Sequence, residues 1–278
     1  MKAPYFKREN FILYNADSLE YLSEMEGEQF NLIFVDPPYF LSNDGITCSS
    51  GKMVSVNKGK WDKSQGFEED VKYTERWLGA CKRLLKKNGS IWISGTYHII
   101  YKVGYLLEKL NYSIINDIVW FKPNAPPNLS CRYFTHSHEI LLWAKKTDDT
   151  NHIFNYEEMK YWNNPKDKIK NKDKQMRSVW SIPLIPPKEK EFGKHPTQKP
   201  LELLTRIVIS STNKDDWVLD PFMGSGTTGI ACSILNRKFK GIEINKGYLD
   251  LAIKRFKQKE KKRLIYLPKK RSDITEYL

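Results

Sequence analysis

Four consecutive residues, Asp36-Pro37-Pro38-Tyr39, place a carboxylate, two ring-locked backbone units and an aromatic plate directly after the apolar run 32–35. The prolines fix φ and remove two N–H donors, so the carbonyls of Asp36 and Pro37 stay free beside the Asp36 carboxylate. Acceptors next to a stacking surface suit a planar group that carries an amine. Taken alone, the same four residues also describe a proline turn ending a strand, with Asp36 as a cap. A second constellation is Asp220-Pro-Phe222-Met-Gly224-Ser225-Gly226-Thr227-Thr228. Glycine lets a backbone turn sharply and approach a ligand closely, and a helix N-terminus with open amides attracts carboxylate or phosphate. The spacing is not Gly-x-Gly-x-x-Gly, which counts against a dinucleotide site, and the missing Gly-Lys-Ser/Thr excludes a P-loop. Glu243 follows about twenty residues later at a strand tip, where an acid accepts both hydroxyls of a ribose. Asp17, at the end of an early strand, either faces a ligand or caps the next helix.

The elements that must hold these groups alternate. Strands are expected at 11–14, 32–35, 90–94, 113–121, 139–144, 217–220 and 238–242, and the second of these reads as buried on both faces. Helices are expected at 19–25, at 68–85 (Trp77, Leu78, Cys81, Leu84 and Leu85 in helical period, stopped by Asn88-Gly89), at 98–110, after Pro200, after Gly226 and through Leu249, Ile253 and Phe256. The pattern predicts an α/β fold: a doubly wound, Rossmann-like, mostly parallel sheet with helices on both faces. Ligands in such sheets bind outside the carboxyl ends of the strands at the switch point, so the turns after Val35 and Leu219 make one composite site if their strands are neighbours. The segment 40–67, rich in Gly, Ser, Asn and Lys, is expected to be a structureless lid or substrate-contacting loop anchored by Trp61. Between 145 and 194 the apolar periodicity fades. Aromatics, amides and basic residues, Lys174, Gln175 and Arg177 among them, mix there as they do in segments that stack on bases and hold phosphates, or equally in a solvated insertion. His136 and His138 share one side of an extended segment, but a metal site needs two more ligands that nothing nearby offers, so no metal is expected.

A chain of 278 residues buries one large core without disulfides. Its net charge of +13, with eight tryptophans and fifteen tyrosines, favours a polyanion with stackable bases, so nucleic acid is the natural partner. Cys48, Cys81, Cys131 and Cys232 are scattered without a Cys-x-x-Cys pair and read as reduced thiols of a cytoplasmic protein. No run reaches membrane-spanning length, and the N-terminus lacks the apolar core of a signal peptide.

Asp-Pro-Pro-Tyr at 36–39, the glycine-rich motif at 220–228 and His-Pro-Thr-Gln-Lys-Pro at 195–200 resemble the signature motifs of S-adenosylmethionine-dependent DNA amino-methyltransferases. The catalytic motif precedes the glycine-rich one with an insertion between, which resembles the permuted order of the β group over residues 10–257. Phe-Leu-Ser-Asn-Asp-Gly-Ile at 40–46 and Asn-Leu-Ser-Cys-Arg-Tyr-Phe-Thr-His-Ser at 128–137 are similar to the DpnA-type adenine methyltransferases of GATC restriction systems. The resemblance implies a catalytic half at 1–144, target recognition at 145–194, a cofactor-binding half at 195–257 and a basic tail at 258–278. It makes Asp36, Pro37, Pro38 and Tyr39 catalytic. Asp220, Phe222, Gly224, Ser225, Gly226 and Thr227 would line the cofactor's methionine end, Glu243 its ribose and Asp17 its adenine, while His195, Thr197 and Lys199 clamp its carboxylate. Trp61, Arg132, Lys174, Gln175 and Arg177 would meet DNA, single-stranded or duplex, at GATC or a related short site. A homodimer, a cognate restriction endonuclease and a sister methyltransferase are the implied partners. Cytosine-N4 enzymes more often carry Ser in place of Asp36. A silent nucleic-acid-binding subunit is expected to have lost Asp36 or the Gly224/Gly226 loop, and methylation of a protein glutamine sits poorly with the basic charge.

Overall fold

The computed structural model describes residues 2–42, 46–49, 52–55, 62–128, 130–164, 167, 169–193 and 195–265, with 46–49, 52–55 and 260–265 described by backbone alone. The expected loop anchor, Trp61, lies outside them, as does most of the basic tail. The centre of the fold is β3 (Phe30–Val35), whose six residues are all buried. The apolar run Leu32–Val35 within it can only sit between two covering layers. Along the chain before it run β1 (Phe6–Arg8), β2 (Phe11–Asn15) and α1 (Ser18–Glu24). After it come a small antiparallel hairpin of β4 (Ile46–Ser49) and β5 (Lys52–Ser55), then α2 (Phe67–Leu84), β6 (Leu85–Gly95), α3 (Ile100–Lys109), β7 (Ser113–Phe121) and β8 (His138–Lys145). The rest is α4 (Tyr156–Lys160), β9 (Val179–Ser181), a 3-10 turn at Pro187–Lys190, α5 (Leu201–Ser211), β10 (Trp217–Asp220), α6 (Thr227–Ile234), β11 (Lys238–Glu243) and α7 (Lys246–Ile265).

Nine strands form one sheet in the order β1-β2-β11-β10-β3-β6-β8-β7-β9. Helices α1, α2 and α3 pack together over one face, and α5, α6 and α7 over the other. The run β2-β11-β10-β3-β6 is parallel throughout. The far half departs from the expected parallel winding, because β8 pairs antiparallel with both β6 and β7. The cause is the connection: a parallel crossover needs a covering helix or comparable length, and the proline-rich 122–137 segment between β7 and β8 contains none. Two further expectations change. The 40–67 segment contains the β4–β5 hairpin instead of being structureless, and α2 ends at Leu84 so that Asn88-Gly89 lies inside β6, where the register with β3 shifts.

The segment 145–194 joins the main core. Strand β9 pairs with β7 at the sheet edge, and Trp180 and Ile182 are buried in the same cluster as α5. Trp77, Trp92, Trp120, Trp143 and Trp180 are all buried, with Trp92 and Trp143 stacked at 4.9 Å. These indoles are therefore core, and among the described residues the exposed aromatic surface is supplied by tyrosine and phenylalanine. Cys81, Cys131 and Cys232 are free thiols. Among the described residues no helix is long and apolar enough to cross a membrane.

Candidate active site

Strands β3 and β10 are parallel neighbours, with Leu32 opposite Val218 and Ile33 opposite Leu219. Their carboxyl ends, Asp36 and Asp220, therefore open on the same edge of the sheet, where the chain winds away in opposite directions. A cleft of about 570 Å³ lies there and reaches from Asp17 and Glu243 to Asp36, Tyr39 and Lys199. The single composite site expected from the sequence is present, and its location follows from the strand order alone.

On the β3 side Asp36 sits in a chain of alternating charges. Lys199 Nζ lies 2.7 Å from both Asp36 oxygens and 3.5 Å from Glu139 Oε2, while Lys122 Nζ donates to Glu139 Oε1 at 2.6 Å. The Tyr39 hydroxyl donates to Asp36 Oδ1 at 2.8 Å and lies 3.3 Å from both Ser94 Oγ and Glu139 Oε2. Burial, opposed by Lys199 and reinforced by Glu139, raises the Asp36 carboxyl above the usual range. For Glu139, Lys199 and Lys122 outweigh burial and hold the carboxyl down to about 2. Lys199 is raised, because its two acidic neighbours outweigh the desolvation that disfavours its charge. Two carboxylates and two ammonium groups alternate, so the cluster is neutral as a whole and stable while buried.

The resemblance implies a place for Lys199 at the cofactor's carboxylate; in the structure it pairs with Asp36. The reason is electrostatic: two buried carboxylates, Asp36 and Glu139, lie within its reach and stabilise its charge. A carboxylate offers about four acceptor positions. Lys199 and Tyr39 use two on Oδ1 and Lys199 one on Oδ2, leaving Oδ2 capacity for one further donor on a side chain that is 14% exposed to the cleft.

The backbone after Asp36 is fixed by a residue that sequence reading missed. Fully buried Asp62 accepts the amides of Tyr39 and Phe40 at 2.8 and 2.9 Å, the Leu41 amide at 3.3 Å and the Ser42 hydroxyl at 2.8 Å. Nothing in its spacing announces this role, since the contact closes a loop of more than twenty residues.

On the β10 side the glycines have separate duties. Gly224 adopts φ +49°, and a Cβ there would lie 2.9 Å from the His195 ring; Gly226, at φ +74°, would meet Ala252 Cβ at 2.7 Å. The first lets the imidazole lie against the turn and the second lets α6 approach α7. Arg255, also missed, holds the turn from below: its Nη1 donates to Ser225 O, Ser225 Oγ and Thr227 Oγ1 at 2.6, 2.9 and 3.0 Å. Glu243 accepts the Gly224 and Asn245 amides at 3.0 and 2.8 Å, and burial raises its carboxyl. Phe222 lines the cleft with its ring edge-to-face on Trp77. Thr197 donates its amide to His195 Nδ1 at 3.3 Å, which brings two of the three expected clamp residues together. Asp17 accepts the Glu20 amide as the cap of α1 and also lines the cleft.

Asp220 accepts from Thr228 Oγ1 at 2.6 Å and the Phe222 amide at 3.1 Å, and burial pushes its carboxyl up to about 7. The folded state therefore holds a proton that the unfolded chain releases above the ordinary value of 3.8, so the group costs stability progressively as pH rises from there to about 7. Asp220→Asn removes the charge: its Oδ1 still accepts the Phe222 amide, and its Nδ2 donates to Thr228 Oγ1, reversing that bond. Its advantage over wild type in cofactor-free thermal melts is expected to grow by on the order of a few kcal/mol between pH 4 and pH 8. A pH-independent difference would mean that Asp220 is ionised in the folded state.

The four remaining DNA-contact candidates, Arg132, Lys174, Gln175 and Arg177, are exposed and lie outside the cleft, the first in the β7–β8 connection and the others just before β9.

Comparison with known proteins agrees with this geometry. A family described as DNA methylase matches residues 30–254. The chain is 50% identical over 256 residues to the type II methyltransferase M2.LlaDCHI of Lactococcus lactis subsp. cremoris, covering 92% of each, and 49% identical over 256 residues to M2.DpnII of Streptococcus pneumoniae, again covering 92% of each. Its fold is similar to the crystal structure of the M1.HpyAVI–SAM complex, with TM-score 0.61 and 29% identity over 88% of this chain and 98% of that one. The match spans both walls of the cleft, and the chain belongs to the DNA methylase family.

Proposed function

We propose that this protein transfers a methyl group from S-adenosylmethionine to the exocyclic N6 of adenine in DNA, within GATC. The observation that carries the reading is the remaining acceptor position on Asp36 Oδ2 in a cleft that the glycine turn of β10 also lines.

The residues present fit the cofactor. Glu243 offers carboxylate oxygens for ribose hydroxyls and Asp17 an acceptor for an adenine amine. Phe222 supplies an apolar wall, and His195 lies against the Gly224 turn on the cleft's lining. S-adenosylmethionine supplies a methyl group on a positively charged sulfur.

Everything else falls to the chain. The lone pair of an aromatic amine is delocalised into its ring, so the nitrogen is a poor nucleophile. Asp36 Oδ2 and the Pro37 carbonyl accept its two N–H bonds, draw electron density back onto nitrogen and hold it in line for attack. Lys199 and the Tyr39 hydroxyl fix the carboxylate in that orientation. The Tyr39 ring stacks on the base, offsetting an unstacking cost of about a few kcal/mol. The raised Asp36 carboxyl is suited to take the proton that the methylated amine must shed. The 145–194 segment, with Lys174, Gln175 and Arg177, contacts the recognition sequence, and a restriction endonuclease of the same specificity is the functional counterpart.

Incubation with labelled S-adenosylmethionine and matched oligonucleotides carrying GATC, GACTC or neither, followed by nucleoside analysis, tests the reading. Label is expected in N6-methyladenine with GATC only. Label in N4-methylcytosine, or none on any DNA, would overturn it.

A further inference from the structure

Tyrosine and phenylalanine side chains gather on the surface at the carboxyl edge of the sheet, outside the cleft already described. Tyr97 stacks on His136 with centroids 4.9 Å apart and planes at 26°, and Tyr133 lies 5.4 Å from the same imidazole. Phe134 is 97% exposed and Tyr133 61%. These rings, with Thr135 and His138, line one concavity. A phenylalanine left almost wholly in water forfeits the burial that normally fixes its place, so its position contributes nothing to the core.

The location connects the rings to the chemistry. Tyr97 follows two residues after Gly95, the end of β6, and Ser94 on that strand is 3.3 Å from the Tyr39 hydroxyl. His136 precedes β8 by two residues, and Glu139 on β8 is also 3.3 Å from that hydroxyl. The cluster therefore stands on the two strands that back the Asp36 site on the side away from the glycine turn. The segments that carry the rings, 96–107 and 122–138, contain Lys102, Lys122 and Arg132 and no Asp or Glu, and the acid that follows them on β8, Glu139, is buried and paired with Lys122 and Lys199. Exposed π faces on segments whose own charges are all basic suit a planar group on a polyanion.

We propose that Tyr97, Tyr133, Phe134 and His136 form a second stacking site, which holds an unpaired nucleobase of the DNA beside the target adenine. The inference rests on the reading that DNA is the substrate. Taking one base out of a duplex leaves its partner unpaired, and a single strand leaves the neighbouring bases unpaired. Either supplies the same chemistry, a flat base on a phosphate backbone, and stacking accepts any base because every base has a π face.

The test uses the full chain with S-adenosylhomocysteine and GATC oligonucleotides, single-stranded and duplex. They carry a fluorescent thymine isostere either at the thymine next to the target adenine or at the thymine opposite it, so that the GATC pattern is kept. Wild type is expected to quench the fluorophore. The variant Tyr97→Ala/Phe134→Ala is expected to lose that quenching and bind DNA about tenfold or more weakly, with cofactor affinity and melting temperature unchanged. Tyr97→Phe/Phe134→Tyr, which keeps the rings, is expected to retain both. Loss confined to single strands assigns the site to a flanking base, and loss at the opposite position in duplexes assigns it to the orphaned partner. Equal quenching and equal affinity in wild type and the alanine variant would overturn the proposal. Methyl transfer is read in parallel: a wild type that quenches but transfers no methyl fails the proposed function and still supports the stacking site.

Discussion

Asp36→Ala is expected to lower methyl transfer to GATC-containing DNA by about a thousandfold or more while S-adenosylmethionine binds with unchanged affinity. The split follows from the two walls of the cleft. Asp36 stands at the end of β3 and the glycine turn at the end of β10, and Arg255 holds that turn from beneath without touching Asp36. The substitution removes the acceptor that draws density onto the amine. It leaves Lys199 buried, but Glu139 Oε2 is already 3.5 Å away and can take over its charge, so the fold survives. Asp36→Asn sharpens the comparison, because it preserves shape while losing the negative charge that stabilises a nitrogen becoming positive. Single-turnover transfer with cofactor binding by calorimetry separates the two effects. Full turnover by Asp36→Ala would remove Asp36 from the reaction, and a parallel loss of cofactor affinity would show that the walls are not independent.

Arg206→Ala is expected to destabilise the protein by about 3–5 kcal/mol, a fall in melting temperature of roughly 10 °C. Arg206 is fully buried on α5, with Nη2 2.7 Å from Asp167 Oδ2 and 3.5 Å from Glu202 Oε1. Its guanidinium lies over the rings of Trp162 and Trp180, at 5.1 and 4.9 Å from their centroids. Three of these four partners belong to the 145–194 segment. Arg206 is thus the pin that fastens the segment between β8 and α5 to the core, and removing it strands the Asp167 carboxylate in a medium that cannot solvate it. Arg206→Met with Asp167→Leu removes both charges and is expected to recover much of the loss. An Arg206→Ala protein that melts with wild type would mean that Asp167 is solvated and the segment is held by its indoles alone.

Much of the site was legible in the chain because it depends on local rules. The run ending at Val35 and the run ending at Leu219 are buried strands by composition. Two prolines after one and two glycines after the other mark turns by backbone sterics, and Glu243 falls at a strand tip by counting. These features fix the fold class and, given that ligands bind at carboxyl ends, the edge of the sheet on which the chemistry lies. They also carry the resemblance to DNA methylases that the comparisons bear out.

What tertiary structure alone decided is which charges meet. Lys199 belongs to a motif that points toward the cofactor, yet it is drawn to Asp36 because Asp36 and Glu139, more than a hundred residues apart, are buried within reach of it. Asp62 and Arg255 hold the two turns through contacts that close long loops, so neither shows in a local pattern. The antiparallel seating of β8 was hidden because a buried strand has the same composition in either direction, and only its connection decides. Most tryptophans that suggested base stacking are core, while the rings left in water are tyrosines and phenylalanines, Tyr97, Tyr133 and Phe134 among them. Composition counts aromatic rings, but only packing decides which of them face solvent, since burial depends on what the rest of the chain brings to cover each ring.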